Sequence, residues 1–488
     1  MQDLTTGSVT RQLLTTAGFA LAMMVVQTLY FLVDLYWVGH LGTRAVAAVG
    51  LAGNLSFLGL AVGQVLGAGT TARVAHAVGR GDLPAARHLA RQALGLGAVA
   101  GALVLAVGLA VRGRYVGAMS ADPATARLAA AYLRWFIPAL ALQLPMGVMG
   151  AALRATGQFR PGVRVTAASV VVNLALAPAL MFGWGTGRPL GVAGAALASL
   201  VAVAGAVAWL AAYVLPAHTV LGLRRTEGPG GWRPSGAAWR QILAVGLPAG
   251  FEFAMMALYQ AVGYAVARPF GAPAQAGFGV GLRVVQAGFL PVVALALAAA
   301  PLAAQNVGAN RPARVRAVFR QAAALAAALM GAFALLSLLA ADALVGAFAR
   351  EPLAAAVGAD YVRVMAWTHV AAGVAFVASS LFQALGDARP SLVASGARMA
   401  LLAGLVGVLA RRPGFALHDV WLVAAGTLWA QFALSLALLR RAFRRRLGPD
   451  VAEVRWHTRE PDDGSGAPTR GELPGPPPAG ATPARAAA

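Results

Sequence analysis

The chain has 488 residues, of which 59% are hydrophobic and 11% charged, and it carries a formal net charge of +22. This composition excludes a soluble globular protein, because repeated apolar runs of about twenty residues are typical of membrane-spanning helices. The absence of cysteine excludes disulfides, thiolate metal sites and cysteine nucleophiles. The runs are continuous rather than alternating, which argues against a membrane β-barrel.

Twelve apolar runs predict twelve transmembrane helices, so the predicted fold class is an all-α polytopic membrane protein. The first run is too long for a signal peptide, and no small-residue cleavage site follows it. The approximate bounds of the runs are 13–39, 45–71, 89–111, 126–153, 163–183, 190–215, 241–267, 274–306, 317–340, 353–383, 391–411 and 416–440.

Arginine is concentrated in the connections after the even-numbered runs, for example Arg73 and Arg80 after the second and Arg311 and Arg314 after the eighth. By the positive-inside rule, these connections and both termini are predicted to be cytoplasmic, in a multi-pass protein of the inner (plasma) membrane. The excess of arginine is thereby explained by the orientation of the chain in the membrane, and no nucleic-acid partner is predicted.

The two halves of the chain repeat each other at one constant offset. Gly42 matches Gly271, Arg87 matches Arg316 and Pro161 matches Pro390, each pair 229 residues apart. Six runs separate the repeats, so both enter the membrane from the same side, and a parallel pseudo-two-fold repeat around a central cavity is predicted. The predicted domains are a cytoplasmic N-terminus at 1–12, an N-lobe at 13–215, a cytoplasmic linker at 216–240, a C-lobe at 241–440 and a disordered cytoplasmic tail at 441–488.

Asp34 is the carboxylate that stands out, because it lies inside the first apolar run. A charge there costs on the order of 2.5–3.5 kcal/mol, so the residue is a candidate functional site facing a cavity. Gln27 and Tyr30 share its helix face at spacings of seven and four. A partly desolvated carboxylate can hold a proton near neutral pH or bind Na+ as a hard oxygen ligand. A structural acid paired with an arginine or a buried hydroxyl is the alternative.

A second acid, Glu252, lies in the seventh run, and Arg283 lies at a similar depth in the eighth. One hypothesis is an intramembrane ion pair between them, structural or gating; the other is a direct cation contact at Glu252. Met256 and Tyr259 follow on the face of Glu252 and suit a permissive pocket for flat cations, although such a stripe is also typical of packing.

Several segments resemble multidrug and toxic compound extrusion (MATE) transporters. They include VDLYWVGHLGTRAVAAVGLAGNL, ALRATGQFRP and VVNLALAPALMFGWG in the first half, and VGLPAGFEFAMMAL and LFQALGDARP in the second. The resemblance covers roughly 13–440 and implies an ion-coupled antiporter that exports organic, often cationic, compounds by alternating access.

The same resemblance implies that Asn173 and Ser199 help surround Asp34 as ion-coupling residues. Some family members carry another acid one turn after this asparagine, but Ala177 stands there, which favours protons over Na+. The family often places its seventh-run glutamate eight residues after the proline, which is Met256 here, whereas Glu252 follows Pro248 by four.

Other function classes lack their motifs. A phosphate-binding P-loop needs a lysine and the chain has none, so no ATP-driven pump is predicted from this chain. No protease or hydrolase motif is present, and a membrane enzyme acting on lipid would need a polar cluster at one membrane face. A lipid-linked precursor flippase of the same superfamily stays as the alternative; it predicts several cavity arginines. We therefore predict a monomeric transporter, not an enzyme, with a small-molecule substrate, membrane lipid around it and no cofactor other than a coupling H+ or Na+.

Overall fold

A computed structural model describes residues 3–120, 122–184, 187–216, 219, 221–224 and 231–448, excluding the side chains of Tyr30, Phe31 and Asn54. This part of the chain contains thirteen α-helices, one 3-10 turn at Arg268–Phe270 and no strand. The helices are α1 Val9–Gly39, α2 Thr43–Gly79, α3 Leu83–Met119, α4 Pro123–Ala155, α5 Arg160–Phe182, α6 Val192–Val214, α7 Gly236–Ala267, α8 Ala272–Gly308, α9 Pro312–Gly346, α10 Pro352–Ala366, α11 His369–Ala384, α12 Arg389–Leu409 and α13 Leu417–Leu447.

Eleven of these helices are long and apolar enough to cross a membrane, and the count is twelve if α10 and α11 form one bent span. The predicted all-α polytopic fold is confirmed. The predicted disordered tail at 441–488 begins too early, because α13 continues to Leu447. Residues 449–488 lie outside the described part of the chain, as do 217–218, 220 and 225–230 of the predicted linker, and α7 begins within that linker at Gly236.

The tenth predicted span is two helices that meet at 63°. The first helix ends at Ala366, and the hydroxyl of Thr368, which precedes the second helix, donates to the Met365 carbonyl oxygen over 2.7 Å. His369 begins the second, where its ring stacks on Phe333 with 4.7 Å between centroids and lies 3.3 Å from the Ser337 hydroxyl. The sequence predicts no role for His369, which lies at the bend.

Helix starts carry the residues that such positions require. Asp122 caps α4, because its carboxylate accepts from the backbone amides of Ala124 and Thr125 at 2.9 and 3.0 Å. The hydrogen bond from the Thr125 hydroxyl lowers the pKa of the Asp122 carboxyl, so the cap is an anion beside the helix N-terminus. Proline in the first turn, as in α3, α4, α9 and α10, provides no amide that would need a partner.

The packing repeats as the sequence does. In the first half α1 packs on α5, α5 on α6, α6 on α4 and α4 on α2, with α3 against α2 and α4. In the second half α7 packs on α12, α12 on α13, α13 on α11 and α10, and these on α8, with α9 against them. The bent pair α10 and α11 therefore takes the position that the single helix α4 takes in the first half.

The two halves are joined at one end, here called the inner end, where α1 and α7 begin and α2 and α8 end. Gln305 of α8 donates to the Ala155 carbonyl oxygen over 2.7 Å, and Arg73 of α2 donates to the Gln241 carbonyl oxygen over 3.1 Å. A Cβ at Gly246 would overlap the Val65 carbonyl oxygen, so α7 and α2 touch backbone to backbone. Every described hydrogen bond between the halves lies in these inner parts, and the structure is closed at this end.

Residues 3–8 add to that closure. Leu4 is buried, and its amide donates to the Gln305 side chain over 3.3 Å while its carbonyl oxygen accepts from Asn306 over 3.1 Å. Arg314 of α9 donates to the Gly7 carbonyl oxygen at 2.8 Å. The predicted N-terminal segment 1–12 is thus shorter, because α1 begins at Val9, and it fastens the first half to the second.

Candidate functional site

Asp34 lies one and a half turns before the end of α1, on the half of the helix that is farther from the inner end. The carboxylate is partly buried, and its Oδ1 atom is out of contact with solvent and has no hydrogen-bond donor among the described residues. An unsatisfied buried carboxylate oxygen is costly, which favours a bound proton or cation at this position.

Asn173 and Ser199 lie together in the first half, as the family resemblance implies. The Asn173 amide nitrogen donates to the Ser199 hydroxyl over 3.1 Å, and that hydroxyl lies 3.2 Å from the Ala195 carbonyl oxygen. Both side chains are buried, and the Asn173 Oδ1 atom also lacks a described donor. Asp34 and Asn173 therefore each carry a buried oxygen with free acceptor capacity.

These two oxygens sit at different depths. Trp37 of α1 packs on Phe182 of α5 with 6.0 Å between ring centroids, which fixes the relative height of the two helices. Asp34 is three residues below Trp37 and Asn173 is nine below Phe182, so Asn173 lies about 9 Å closer to the inner end. The structure does not join Asp34 to Asn173 or Ser199 by a hydrogen bond.

The other predicted residues of this face are partly described. Gln27 is exposed at the middle of α1. The side chain of Tyr30 lies outside the described residues. Of the three residues predicted to share one face of α1, the structure therefore describes the side chains of Gln27 and Asp34.

Glu252 is the centre of a polar network in the second half. The Ser379 hydroxyl of α11 donates to the Glu252 carboxylate over 2.6 Å and lies 2.5 Å from the Ser391 hydroxyl of α12. The carboxylate of α7 is therefore tied to two other helices of its half.

The network continues around the same helices. Gln431 of α13 donates to the Ser395 hydroxyl over 3.0 Å and accepts from Arg398 at 3.4 Å. The Arg398 guanidinium lies 4.8 Å from the ring centroid of Tyr259, which returns the network to α7. The intramembrane arginine is thereby balanced by an aromatic face and an amide, which is typical of a charge that must stay inside a helical bundle.

The predicted ion pair between Glu252 and Arg283 does not form in this structure. Arg283 is exposed on α8, whose neighbouring residues Phe278 and Leu282 form the buried face. The ion pair was predicted from the depth of the two residues along their helices, which does not determine the direction in which each side chain points. Glu252 points to α11 and α12 instead. Met256 is 46% exposed, and Tyr259 is half-buried beneath Arg398.

Sequence reasoning missed the hydroxyl and amide members of the network. Ser391, Ser395 and Arg398 are spaced by four and three, so they share one face of α12. That spacing is a polar stripe in an apolar span and is the signal that could have found them. Thr427, Gln431 and Ser435 form a similar stripe on α13, at spacings of four and four, and Ser379 has Gln383 one turn later on α11.

The repeat does not extend to these polar sites. Glu252 corresponds to Met23, and Asp34 corresponds to Gly263, at the offset that relates the halves. Beside Met23 the matching positions of Ser379 and Ser391 are Gly150 and Gly162, and these line a small cavity of about 20 Å³. The halves therefore share a scaffold but carry their acids at different depths.

The Glu252 network predicts that two substitutions of this residue differ in their effect on thermal stability. Glu252→Gln keeps an acceptor for the Ser379 hydroxyl, so its thermal midpoint in detergent should stay near that of the unmodified protein. Glu252→Ala leaves the serine hydroxyls of α11 and α12 without that acceptor and should destabilise the fold by about 1–3 kcal/mol. Thermal unfolding monitored by tryptophan fluorescence measures the difference.

Glu351→Ala is the matched control, because Glu351 is exposed at the start of α10 and its side chain makes no capping hydrogen bond. Equal midpoints for Glu252→Ala and Glu351→Ala would contradict a stabilising network.

A helical membrane protein with two parallel repeats, closed at one end and carrying isolated acids inside its spans, has the architecture of a secondary transporter. The MatE family model matches residues 20–179 and 248–409, which covers most of both halves. The chain belongs to this family, the multidrug and toxic compound extrusion transporters, so the resemblance seen in the sequence is confirmed and the protein is a transporter.

Relatives agree with this assignment, and solved structures agree with the fold. The chain is 30% identical to the probable multidrug resistance protein NorM of Deinococcus radiodurans over 90% of this chain and 96% of that protein. It is 27% identical to the FAD transporter of Shewanella oneidensis over 59% of this chain and 63% of that protein. Among solved structures, a MATE protein in the bent conformation matches with a TM-score of 0.83 at 22% identity over 91% of this chain and 97% of that chain.

Proposed function

We propose that this protein is a cation-coupled antiporter that exports bulky organic cations by alternating access. The observation that carries the proposal is the buried, unpartnered carboxylate oxygen of Asp34 inside α1. The relatives named as multidrug resistance and multidrug export proteins support the substrate class. A lone acid with amide and hydroxyl oxygens in the same half suits H+ or Na+ as the coupling ion, and no other cofactor is required.

The proposal includes an orientation. Arg73, Arg311 and Arg314 bind backbone carbonyl oxygens at the inner end, where the arginine-rich connections lie. By the positive-inside rule the inner end is cytoplasmic, both termini are inside, and the structure is closed to the cytoplasm. The protein acts as a monomer in the inner membrane, since each copy carries both halves of the transport path.

A second candidate substrate is an anionic flavin dinucleotide. The FAD transporter relative motivates it, and so does Arg154 at the end of α4, which lines the small cavity between the halves with Met23 and Leu297. No described residue forms a hydrogen bond or ion pair with the Arg154 side chain, so a phosphate that entered this cavity when the halves separate would meet an unpaired guanidinium. The lipid-linked precursor flippase is less favoured, because Arg398 is held by Tyr259 and Gln431 and Arg283 is exposed.

Transport in inside-out membrane vesicles tests these alternatives. With a proton or a sodium gradient imposed separately, we expect ethidium accumulation under one gradient and none without a gradient. The gradient that works identifies the coupling ion. Accumulation of FAD but not of ethidium would replace the cationic substrate by the dinucleotide, and failure of both under either gradient would refute ion-coupled export.

A further inference from the structure

A cavity with a volume of about 570 Å³ lies on the side of the first half, at its inner end. Helices α1, α5 and α6 enclose it. Its lining includes Thr15, Phe19, Arg160, Arg164, Trp209 and Tyr213, which together we call the lateral groove.

Buried Val165 of α5 forms the inner wall of the lateral groove and belongs to the same core cluster as Leu13 of α1 and Leu210 of α6. The groove residues Arg164 and Trp209 each stand next to one of these in sequence and are exposed. A groove on the outer face of a transmembrane bundle is reached from the lipid, not from the central cavity.

Its two arginines are available for an anion. Arg160 and Arg164 are one helical turn apart at the start of α5, and both side chains are exposed. Neither forms a hydrogen bond or ion pair with another described residue, and Arg160 lies 5.7 Å from the ring centroid of Phe19. The two positive charges repel each other, and a bound anion would offset this unfavourable electrostatic energy.

The aromatic residues set the depth of the groove. Trp209 and Tyr213 occupy the last two turns of α6, which ends at Val214, and Tyr213 donates to the Gln158 side chain over 3.2 Å. Tryptophan and tyrosine are enriched at the headgroup level of a bilayer. The arginines therefore lie where lipid phosphates lie, and the phenyl and indole rings lie where the acyl chains begin.

The second half lacks this arrangement. Arg389 corresponds to Arg160, but Val393 takes the place of Arg164 and is 58% exposed. A single arginine at the start of a helix is common to both halves and needs no ligand. The second arginine and the cavity distinguish the first half.

We propose that the lateral groove binds the phosphate headgroup of an anionic phospholipid from the leaflet at the inner end. The two guanidinium groups contact the phosphodiester oxygens, and an acyl chain lies along Phe19 and Trp209. Basic pockets between transmembrane helices on the cytoplasmic side are suited to such headgroups. This site lies on the outer face of the first half and does not depend on the transported substrate or on the coupling ion.

Native mass spectrometry of the full-length, delipidated protein tests the proposal with three probes, which are phosphatidylglycerol, phosphatidylcholine and soluble glycerol phosphate. We expect phosphatidylglycerol to bind at least about tenfold more tightly than phosphatidylcholine, because each basic residue at the surface contributes about fivefold in affinity for an anionic lipid. Arg160→Gln combined with Arg164→Gln should lower that affinity about 25-fold, for the same reason. Arg389→Gln is the matched control and should leave it unchanged.

Each other outcome decides against the proposal. Unchanged phosphatidylglycerol binding in the double variant, or an equal loss in Arg389→Gln, would overturn the assignment to the lateral groove. Glycerol phosphate binding as tightly as the lipid would show a site for a free phosphate instead. If the double variant does not fold, Arg164→Val, which installs the residue of the second half, should still lower the lipid affinity about fivefold, and no change there would overturn the proposal.

Discussion

Export by the Asp34→Asn variant should fall to the level of membranes that lack the protein, while the variant folds and inserts normally. Asparagine has nearly the same shape as aspartate, so the packing of α1 on α5 is kept. It cannot take up and release a proton, and its neutral amide is a weak ligand for a cation. Ethidium accumulation in inside-out vesicles, normalised to the amount of folded protein, measures the effect.

Asp342→Asn is the matched control for this experiment. Asp342 pairs with Arg363 in α9 and α10, and its side chain is 76% exposed, so the loss of its charge should leave export unchanged. Normal gradient-driven export by Asp34→Asn would mean that Asp34 is a structural acid and that coupling resides elsewhere, with Glu252 as the next carboxylate to examine.

The difference between the two acids follows from their surroundings. Asp34 has a buried oxygen without a described donor, whereas Glu252 accepts a hydrogen bond from Ser379, which in turn touches Ser391. A satisfied carboxylate contributes to stability, and an unsatisfied one can exchange its proton or cation without breaking a network. We therefore propose separate roles for the halves, with ion coupling at Asp34 in the first and a stabilising polar network at Glu252 in the second.

The sequence predicted the helices well because their signal is one-dimensional. An apolar run that is long enough to cross a bilayer identifies a transmembrane helix by its length alone. The constant offset between Gly42 and Gly271, or between Pro161 and Pro390, reveals the repeat without any knowledge of contacts. The bend at His369 was missed because no proline or glycine stands at positions 367–368. The matching position in the first half, Pro138, lies within the uninterrupted helix α4.

The sites were harder to predict because they depend on rotation around helix axes. Depth is readable from residue number, and on that basis Glu252 and Arg283 were paired. The two side chains point in different directions around their helix axes, and Arg283 lies on the exposed side of α8. Leu4 shows the same limit, since nothing in a short polar segment indicates that one leucine docks against Gln305 and Asn306 across the two halves.

Cross-linking the closed inner end should abolish export, because the two halves could then no longer separate there. Thr10 of α1 donates to the Gln321 side chain of α9 over 2.9 Å, and Thr10 is exposed. The chain has no cysteine, so Thr10→Cys with Gln321→Cys places two unique thiols across the halves without further substitutions. Joining them with a short bis-methanethiosulfonate reagent should abolish ethidium export, and reduction should restore it.

The reason is that alternating access requires the inner end to open once in every cycle. A covalent link there holds the halves in the closed arrangement, however large the ion gradient is. Asp342→Cys with Arg363→Cys, treated in the same way, is the control, because both residues belong to the second half and are in contact. Full export after complete cross-linking of Thr10→Cys with Gln321→Cys would mean that the halves do not separate at α1 and α9, and transport would then have to open a path within one half.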